Sequence, residues 1–220
     1  MDIKDLIKER HSVRQFKDVK IEEAKRAELD ALVAEVNAET GLKFQAIYDD
    51  PDCFNTIMAH YGKFKNAVNY IALVGDKSTP NLEELCGYYG QKIVLKAQEM
   101  GLNTCWVGGT YGKGKCKADA QHGEKIVCVI AIGYGETAGV KHKSKPVSKL
   151  CNVLEEEMPT WLKNGVVAAM MAPTALNQQK FYISFEDGNV TITAKNAPFA
   201  KVDLGIVKYN FEAVTGRKVM

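Results

Sequence analysis

Two guanidinium groups and a hydroxyl stand within five residues near the start of the chain, in Arg10-His11-Ser12-Val13-Arg14-Gln15-Phe16. That set suits capture of a phosphate monoester, because the planar Arg fork matches phosphate oxygens and keeps its charge near neutral pH. Far along the chain, Ala172-Pro173-Thr174-Ala175-Leu176-Asn177-Gln178-Gln179-Lys180-Phe181 offers a hydroxyl and amides just before an aromatic, strand-like run. An amide both donates and accepts, as the edge of a heterocycle with alternating carbonyl and N–H groups requires. Thr174 and Asn177 are the best placed for such contacts; the bland alternative is a loop that caps itself with the same side chains. A third segment, Gly101-Leu102-Asn103-Thr104-Cys105-Trp106-Val107-Gly108-Gly109, ends in two glycines. With no Cβ in the way, that backbone lets a flat ligand come close.

Rival chemistry is weaker. Gly109-Thr110-Tyr111-Gly112-Lys113-Gly114-Lys115-Cys116 nearly spells a phosphate-binding loop. Cys116 lacks the hydroxyl that would hold magnesium, and the polar stretch that follows is no apolar helix. Gly133-Tyr134-Gly135 is too short for a dinucleotide fingerprint. The four histidines, at 11, 60, 122 and 142, form no ligand-spaced cluster, so no metal site is indicated. The six cysteines lie at least ten residues apart with no C-x-x-C pair, and read as buried thiols. No Ser or Cys sits in a motif for an activated nucleophile.

The three segments together resemble the FMN-binding nitroreductase family, whose members begin near R-R-S-x-R and carry G-L-G-S-C-W-I-G-G and A-P-S-x-x-N-x-Q-P-W. His11 replaces the usual second Arg, and Gln179-Lys180-Phe181 replaces the Q-P-W ending. The last motif here follows the central strands, an order that resembles the divergent branch called "putative TM nitroreductase". The resemblance implies an FMN cofactor. Arg10, Ser12 and Arg14 would hold its phosphate, with Lys143 and Lys145 before Pro146 as a second basic source. Val107, Gly108 and Gly109 would line the ring, the Gly108 N–H facing flavin N5. Pro173, Thr174 and Asn177 would meet the pyrimidine edge or ribityl chain. NADH or NADPH would give hydride to the flavin and leave, and a small acceptor such as a nitroaromatic or quinone would take it. No catalytic side chain is then needed, since the flavin carries the chemistry. A second reading, of a different class, is a flavin-binding carrier, sensor or interaction protein with little or no turnover.

Composition fits an ordinary globular chain of 220 residues, 46% hydrophobic and 25% charged, long enough for a sizeable core. A net charge of +2 argues for neither nucleic acid nor an anionic membrane surface. The N-terminus is charged and no apolar run approaches membrane length, so a cytoplasmic protein is expected. Monomer and homodimer both stay open.

The elements that must position these groups are legible in outline. Helices are expected over 22–36, on a stripe of Leu29, Leu32, Val33 and Val36, and over 82–100, on Leu85, Tyr89, Ile93, Ala97 and Met100 with Gly101 at C′. Further helices are expected before Pro173 and from Asp203, as N-cap, to about Thr215. Tyr70-Ile71-Ala72-Leu73-Val74 and 126–133 read as covered strands and 103–107 as a short one. Asp187-Gly188 predicts a hairpin that pairs Phe185 with Val190, Ile183 with Ile192 and Phe181 with Ala194. Mixed elements without strict alternation give an α+β fold, a nitroreductase-like mixed sheet flanked by helices. The resemblance divides it into halves at 1–145 and 146–220, intertwined as one unit, with room for pseudo-symmetry between them.

Overall fold

Both runs read as covered strands lie at the centre of one sheet. In the computed structural model, which describes residues 1–220, β1 (Gln45–Ile47), β2 (Tyr70–Asp76), β3 (Asn103–Val107) and β4 (Glu124–Gly133) stand in the order β1-β2-β4-β3. Every pair among these strands is antiparallel. β2 is buried from Tyr70 to Gly75 and β4 from Cys128 to Gly133, which is why neither alternates polar and apolar residues. A register slip between Leu73 and Val74 leaves Val127 of β4 unpaired, a bulge in that strand.

The chain forms two compact units, each discontinuous in sequence: Arg10–Leu82 with Ile93–Lys141, and Met1–Glu9 with Glu83–Lys92 and His142–Met220. The first holds the sheet, α2 (Glu23–Thr40) and the one-turn α3 (Ile57–Tyr61). Val13, Phe16, Tyr70, Cys105, Val129 and Ala131 are among the residues of its core. The end of α4 (Leu82–Glu99) also lies here, and it closes as a Schellman motif. Leu102 N donates to Ala97 O (2.9 Å), Gly101 N donates to Gln98 O (3.0 Å), and Gly101 takes φ +77°. That cap turns the chain directly into β3.

The second unit holds α1 (Ile3–Glu9), the first half of α4, α5 (Thr160–Met170), the hairpin β5 (Phe181–Glu186) and β6 (Asn189–Ala194), and α6 (Ala200–Thr215). The hairpin pairs as its turn predicts: Phe185 with Val190, Ile183 with Ile192, Phe181 with Ala194. Asp187 and Gly188 both take positive φ, 50° and 80°, as a type I′ turn demands. Glycines let α4 and α6 touch backbone to backbone. A Cβ at Gly205 would lie 2.0 Å from Glu84 O, and one at Gly87 would lie 2.0 Å from Val202 O. Gln91 Nε2 donates to Asn210 Oδ1 (2.9 Å) and Asn210 Nδ2 donates to Ala168 O (3.1 Å), so buried amides bond to each other and to α5.

Two expectations need correction. The fully buried line of α4 runs through Leu82, Cys86, Ile93, Val94 and Ala97, while Leu85 and Tyr89 are half-buried. The close contact at Gly87 turns that side of the helix inward. Asp203 is no N-cap: α6 starts at Ala200 after Phe199, and Asp203 sits buried in the first turn. α1, β1 and α3 have no expected counterpart; seven, three and five residues are too short to show a period. No helix is long and apolar enough to cross a membrane.

Candidate functional site

The Arg10–Phe16 segment is extended and pinned at several points. Ser12 bridges Thr104 of β3 in parallel, and Val13 N donates to Thr104 O (3.0 Å). Phe16 N donates to Lys65 O and Lys65 N to Arg14 O, both at 3.0 Å, while Lys17 N reaches Tyr134 O at 2.7 Å. The segment thereby adds a parallel neighbour to an otherwise antiparallel sheet.

Arg10 is 3% exposed, no carboxylate pairs with it, and its Nε has no hydrogen-bond partner. Burial pulls its pKa down to about 10, opposed by the nearby Cys105 sulfur. Burial likewise pushes the Cys105 thiol up, against Arg14, Arg10 and the Ser12 hydroxyl. Arg10, Ser12 and Arg14 thus all act on the Cys105 thiol, with Ser12 half-buried and Arg14 exposed. His11, which replaces the motif's second Arg, turns elsewhere: its Nδ1 lies 3.1 Å from Ala138 O. Gly139 (φ +82°) makes room, since a Cβ there would stand 2.7 Å from His11 Cβ.

Beyond β3 the same unit leaves open space. A Cβ at Gly109 would meet nothing within 4 Å, so internal packing does not require glycine there. The indole Nε1 of Trp106 is buried without a partner. Buried donors left unbonded cost about 1–3 kcal/mol each.

The motif residues of the other unit are arranged differently. Thr174 Oγ1 accepts from Gln179 N (3.0 Å), and Asn177 Nδ2 donates to Lys143 O (2.8 Å). Gln179 is 2% exposed and uses its whole amide: Nε2 donates to Lys143 O and to Asn177 Oδ1, each at 2.9 Å, and Oε1 accepts from Lys145 N at 2.8 Å. Lys145 Nζ donates to the carbonyls of Gln178 and Gln179. Its pKa is pulled down by partial burial and by Lys180, Lys195 and Lys149. Asp203 accepts from Ala175 N and Gln178 Nε2, both at 2.9 Å, and burial raises it to about 6 against those bonds. The network holds Leu176, Asn177 and Gln179 at positive φ (52°, 52° and 44°), a conformation unfavourable for side chains with a Cβ.

Of the expected site residues, Arg10, Ser12, Arg14, Val107, Gly108 and Gly109 belong to the sheet unit. Lys143, Lys145, Pro173, Thr174 and Asn177 belong to the other, where Lys143, Lys145, Thr174 and Asn177 share one hydrogen-bond network. Gln179 and Asp203 complete that network and were not foreseen. The signal for Gln179 was its place on the motif's own Gln, the one residue of the Q-P-W ending that this chain keeps. The glycine-rich 109–116 stretch forms only a 3₁₀ turn at Lys113–Lys115. No group of three or more His, Cys, Asp or Glu could hold a metal.

The family model "Putative TM nitroreductase" matches residues 2–215. No curated protein matches the chain. Among solved structures, a "putative nitroreductase" from Thermotoga maritima superposes with TM-score 0.69 at 20% identity, over 99% of this chain and 87% of that one. A "putative nitroreductase in complex with FMN" from Desulfovibrio desulfuricans gives TM-score 0.53 at 20% identity, over 71% and 98% of the two chains. A "putative NADH dehydrogenase/NAD(P)H nitroreductase" from Bacteroides thetaiotaomicron gives 0.54 at 21% identity, over 67% and 95%. At these identities the likeness establishes the fold, and the match over nearly the full sequence establishes the family. The chain belongs to the TM nitroreductase family.

Proposed function

We propose that the chain binds FMN and uses it as an oxidoreductase, moving reducing equivalents from NADH or NADPH to a small acceptor such as a nitroaromatic or quinone. The observation that carries this reading is Arg10, a buried cation with an unbonded Nε and no carboxylate. A phosphate dianion supplies both missing things, a counter-charge and acceptor oxygens. Ser12 and Arg14, which act on the same Cys105 thiol as Arg10, add a hydroxyl and a second fork. The unfilled space at Gly109 suits a flat group against bare backbone. Two neighbours support the cofactor by what they are described as: one is an FMN complex, another an NADH dehydrogenase/NAD(P)H nitroreductase.

When bound, FMN supplies hydride chemistry that no side chain here provides. The chain's own residues bind and orient. Arg10, Ser12 and Arg14 hold the phosphate, and Val107, Gly108 and Gly109 present main chain to the ring, with the Gly108 N–H as the donor that favours negative charge there. Pro173, Thr174 and Asn177, with Lys143 and Lys145, are the second set of contacts, presented by the bonded loop. In keeping with the motif order, 1–145 and 146–220 act as two nitroreductase-like halves.

The test is the visible spectrum of the purified protein before and after FMN is added and the excess removed, followed by anaerobic NADH or NADPH. Retained flavin bands that bleach with either nicotinamide support the reading. No retained flavin after reconstitution overturns it. Retained flavin that neither nicotinamide reduces overturns the oxidoreductase and leaves a flavin-binding carrier or sensor.

A further inference from the structure

Away from the Arg10 cluster, the sheet unit contains a second concentration of polar chemistry that the proposed function does not use. Asp50 and Tyr70 are both fully buried, and Tyr70 Oη donates to Asp50 Oδ2 at 2.6 Å. Lys117 closes the group twice: its N donates to Tyr70 Oη (2.9 Å) and its Nζ lies 3.2 Å from Asp50 Oδ1. Two cysteines adjoin it. The Cys53 and Cys116 side chains are neighbours that act on each other, and both interact with Tyr70. Backbone bonds hold the two segments together, with Gly112 N donating to Cys53 O (2.8 Å) and Cys116 N to Gly112 O (3.0 Å).

The pair is asymmetric. Cys53 is fully buried, whereas Cys116 is the one cysteine of the six that is not buried. The neighbouring Cys53 side chain, with the Ala118 N–H and Tyr70, holds the Cys116 thiol below the usual thiol range despite burial. Cys53 is pushed up by Cys116 and by burial. Tyr70, Tyr111, Asp50 and Lys117 are the other ionisable groups around the pair. A reachable thiolate beside a sheltered thiol is the arrangement that thiol oxidation chemistry uses.

We propose that Cys116 is a peroxide-reactive thiol and that Cys53 is its resolving partner, so that a hydroperoxide converts the pair to a disulfide. The Cys116 thiolate attacks one peroxide oxygen; an S–O bond forms, the O–O bond breaks, and the other oxygen leaves as an alcohol or water after taking a proton. Cys53 then loses its proton and attacks the Cys116 sulfenic sulfur; the S–S bond forms and hydroxide leaves as water. Two thiols lose two electrons and the hydroperoxide gains them.

The test exposes the full-length protein to stoichiometric hydrogen peroxide, blocks remaining thiols with N-ethylmaleimide, and maps peptides by mass spectrometry. The expected result is loss of two of the six thiols and one linked peptide pair, Cys53–Cys116, reversed by dithiothreitol. Iodoacetamide is expected to alkylate Cys116 at lower pH, and faster near neutrality, than any other cysteine of the folded protein. In Cys53→Ser the disulfide disappears and Cys116 goes on to sulfinic acid. Full N-ethylmaleimide labelling of Cys116 after peroxide overturns the proposal, as does linkage of either cysteine to another residue. So does oxidised Cys116 beside free Cys53 in the unmutated protein. None of these outcomes depends on whether FMN binds.

Discussion

At Arg10 a buried guanidinium Nε has no partner, and at Trp106 a buried indole N–H has none. At Gln179, equally buried, both atoms of the side-chain amide are bonded, and the strained turn around it is held by Thr174, Asn177, Lys145 and Asp203. Two segments that the motifs mark alike are thus built on opposite terms. Unmet donors are a standing cost to the folded chain, and a ligand with acceptor oxygens relieves it. A fully bonded loop has nothing left to satisfy; its work is to keep a shape. On the proposed reading the first region has donors that a bound ligand would satisfy, while the second keeps the shape of its own loop.

The sharpest way to break that contrast is to remove the forks. Arg10→Ala with Arg14→Ala is expected to weaken FMN binding by about 1.5–3 kcal/mol per charged contact, roughly ten- to a hundredfold each. The cofactor-free protein should respond in the opposite direction. Arg10→Met replaces an unpaired buried charge with an apolar chain, and the unfolding free energy should hold or rise by about 1 kcal/mol. A clear loss of stability in cofactor-free Arg10→Met would mean that Arg10 is a structural group.

Gln179→Ala tests the other region. It leaves Lys145 N without its acceptor and Lys143 O with one donor in place of two, at a cost of about 1–3 kcal/mol in stability. Trypsin should then cut after Lys143 faster than in the unmutated protein. FMN affinity measured in parallel should fall less than in the double Arg variant. The reverse ranking would show that the loop is the stronger binding element.

The sequence conveyed the strands, the hairpin register and the Schellman turn at Gly101 because each depends on neighbours a few residues away. Asp187-Gly188 dictates its pairs whatever surrounds it. Arg10 was legible as a charge, but its burial and its lack of a counter-ion arise from the sheet folded around it, and no local pattern encodes that. Gln179 and Asp203 were hidden for the same reason: their partners lie up to 36 residues away in sequence. The inward turn of α4 at Gly87 follows from a helix more than a hundred residues downstream.

Asp203 gives the comparison a pH axis. Its folded pKa, about 6, lies above the ordinary 3.8, so between those values the folded state binds the proton more tightly than the unfolded chain. Its contribution to stability is therefore present below about pH 4 and lost as pH rises through 6, a change of about 3 kcal/mol. Asp49, Asp76 and Glu124 are held low by Arg26, Ser78 and Lys43 respectively, and their contributions run the other way. The difference between unmutated protein and Asp203→Asn, measured by urea denaturation from pH 4 to 8, isolates the Asp203 part. That difference should shrink as pH rises towards 7; a flat difference would mean that the carboxylate is charged throughout.

The smallest expected effect on the fold falls at the open end of the first region. A side chain at Gly109 meets no atom of the chain, and its φ does not lie in the left-handed region. Gly109→Val should therefore change unfolding free energy by no more than about 0.5 kcal/mol, like other surface substitutions. If the space is where a flat ligand lies on bare backbone, the same change should cost at least about tenfold in FMN affinity, or roughly 1.4 kcal/mol. Gly101→Val is the control, also free of neighbours but at φ +77°, where a branched side chain strains the α4 cap; it should lose stability first. Equal FMN affinities for Gly109→Val and the unmutated protein would move the ring away from Gly109 while leaving the phosphate assignment at Arg10 to stand on its own test.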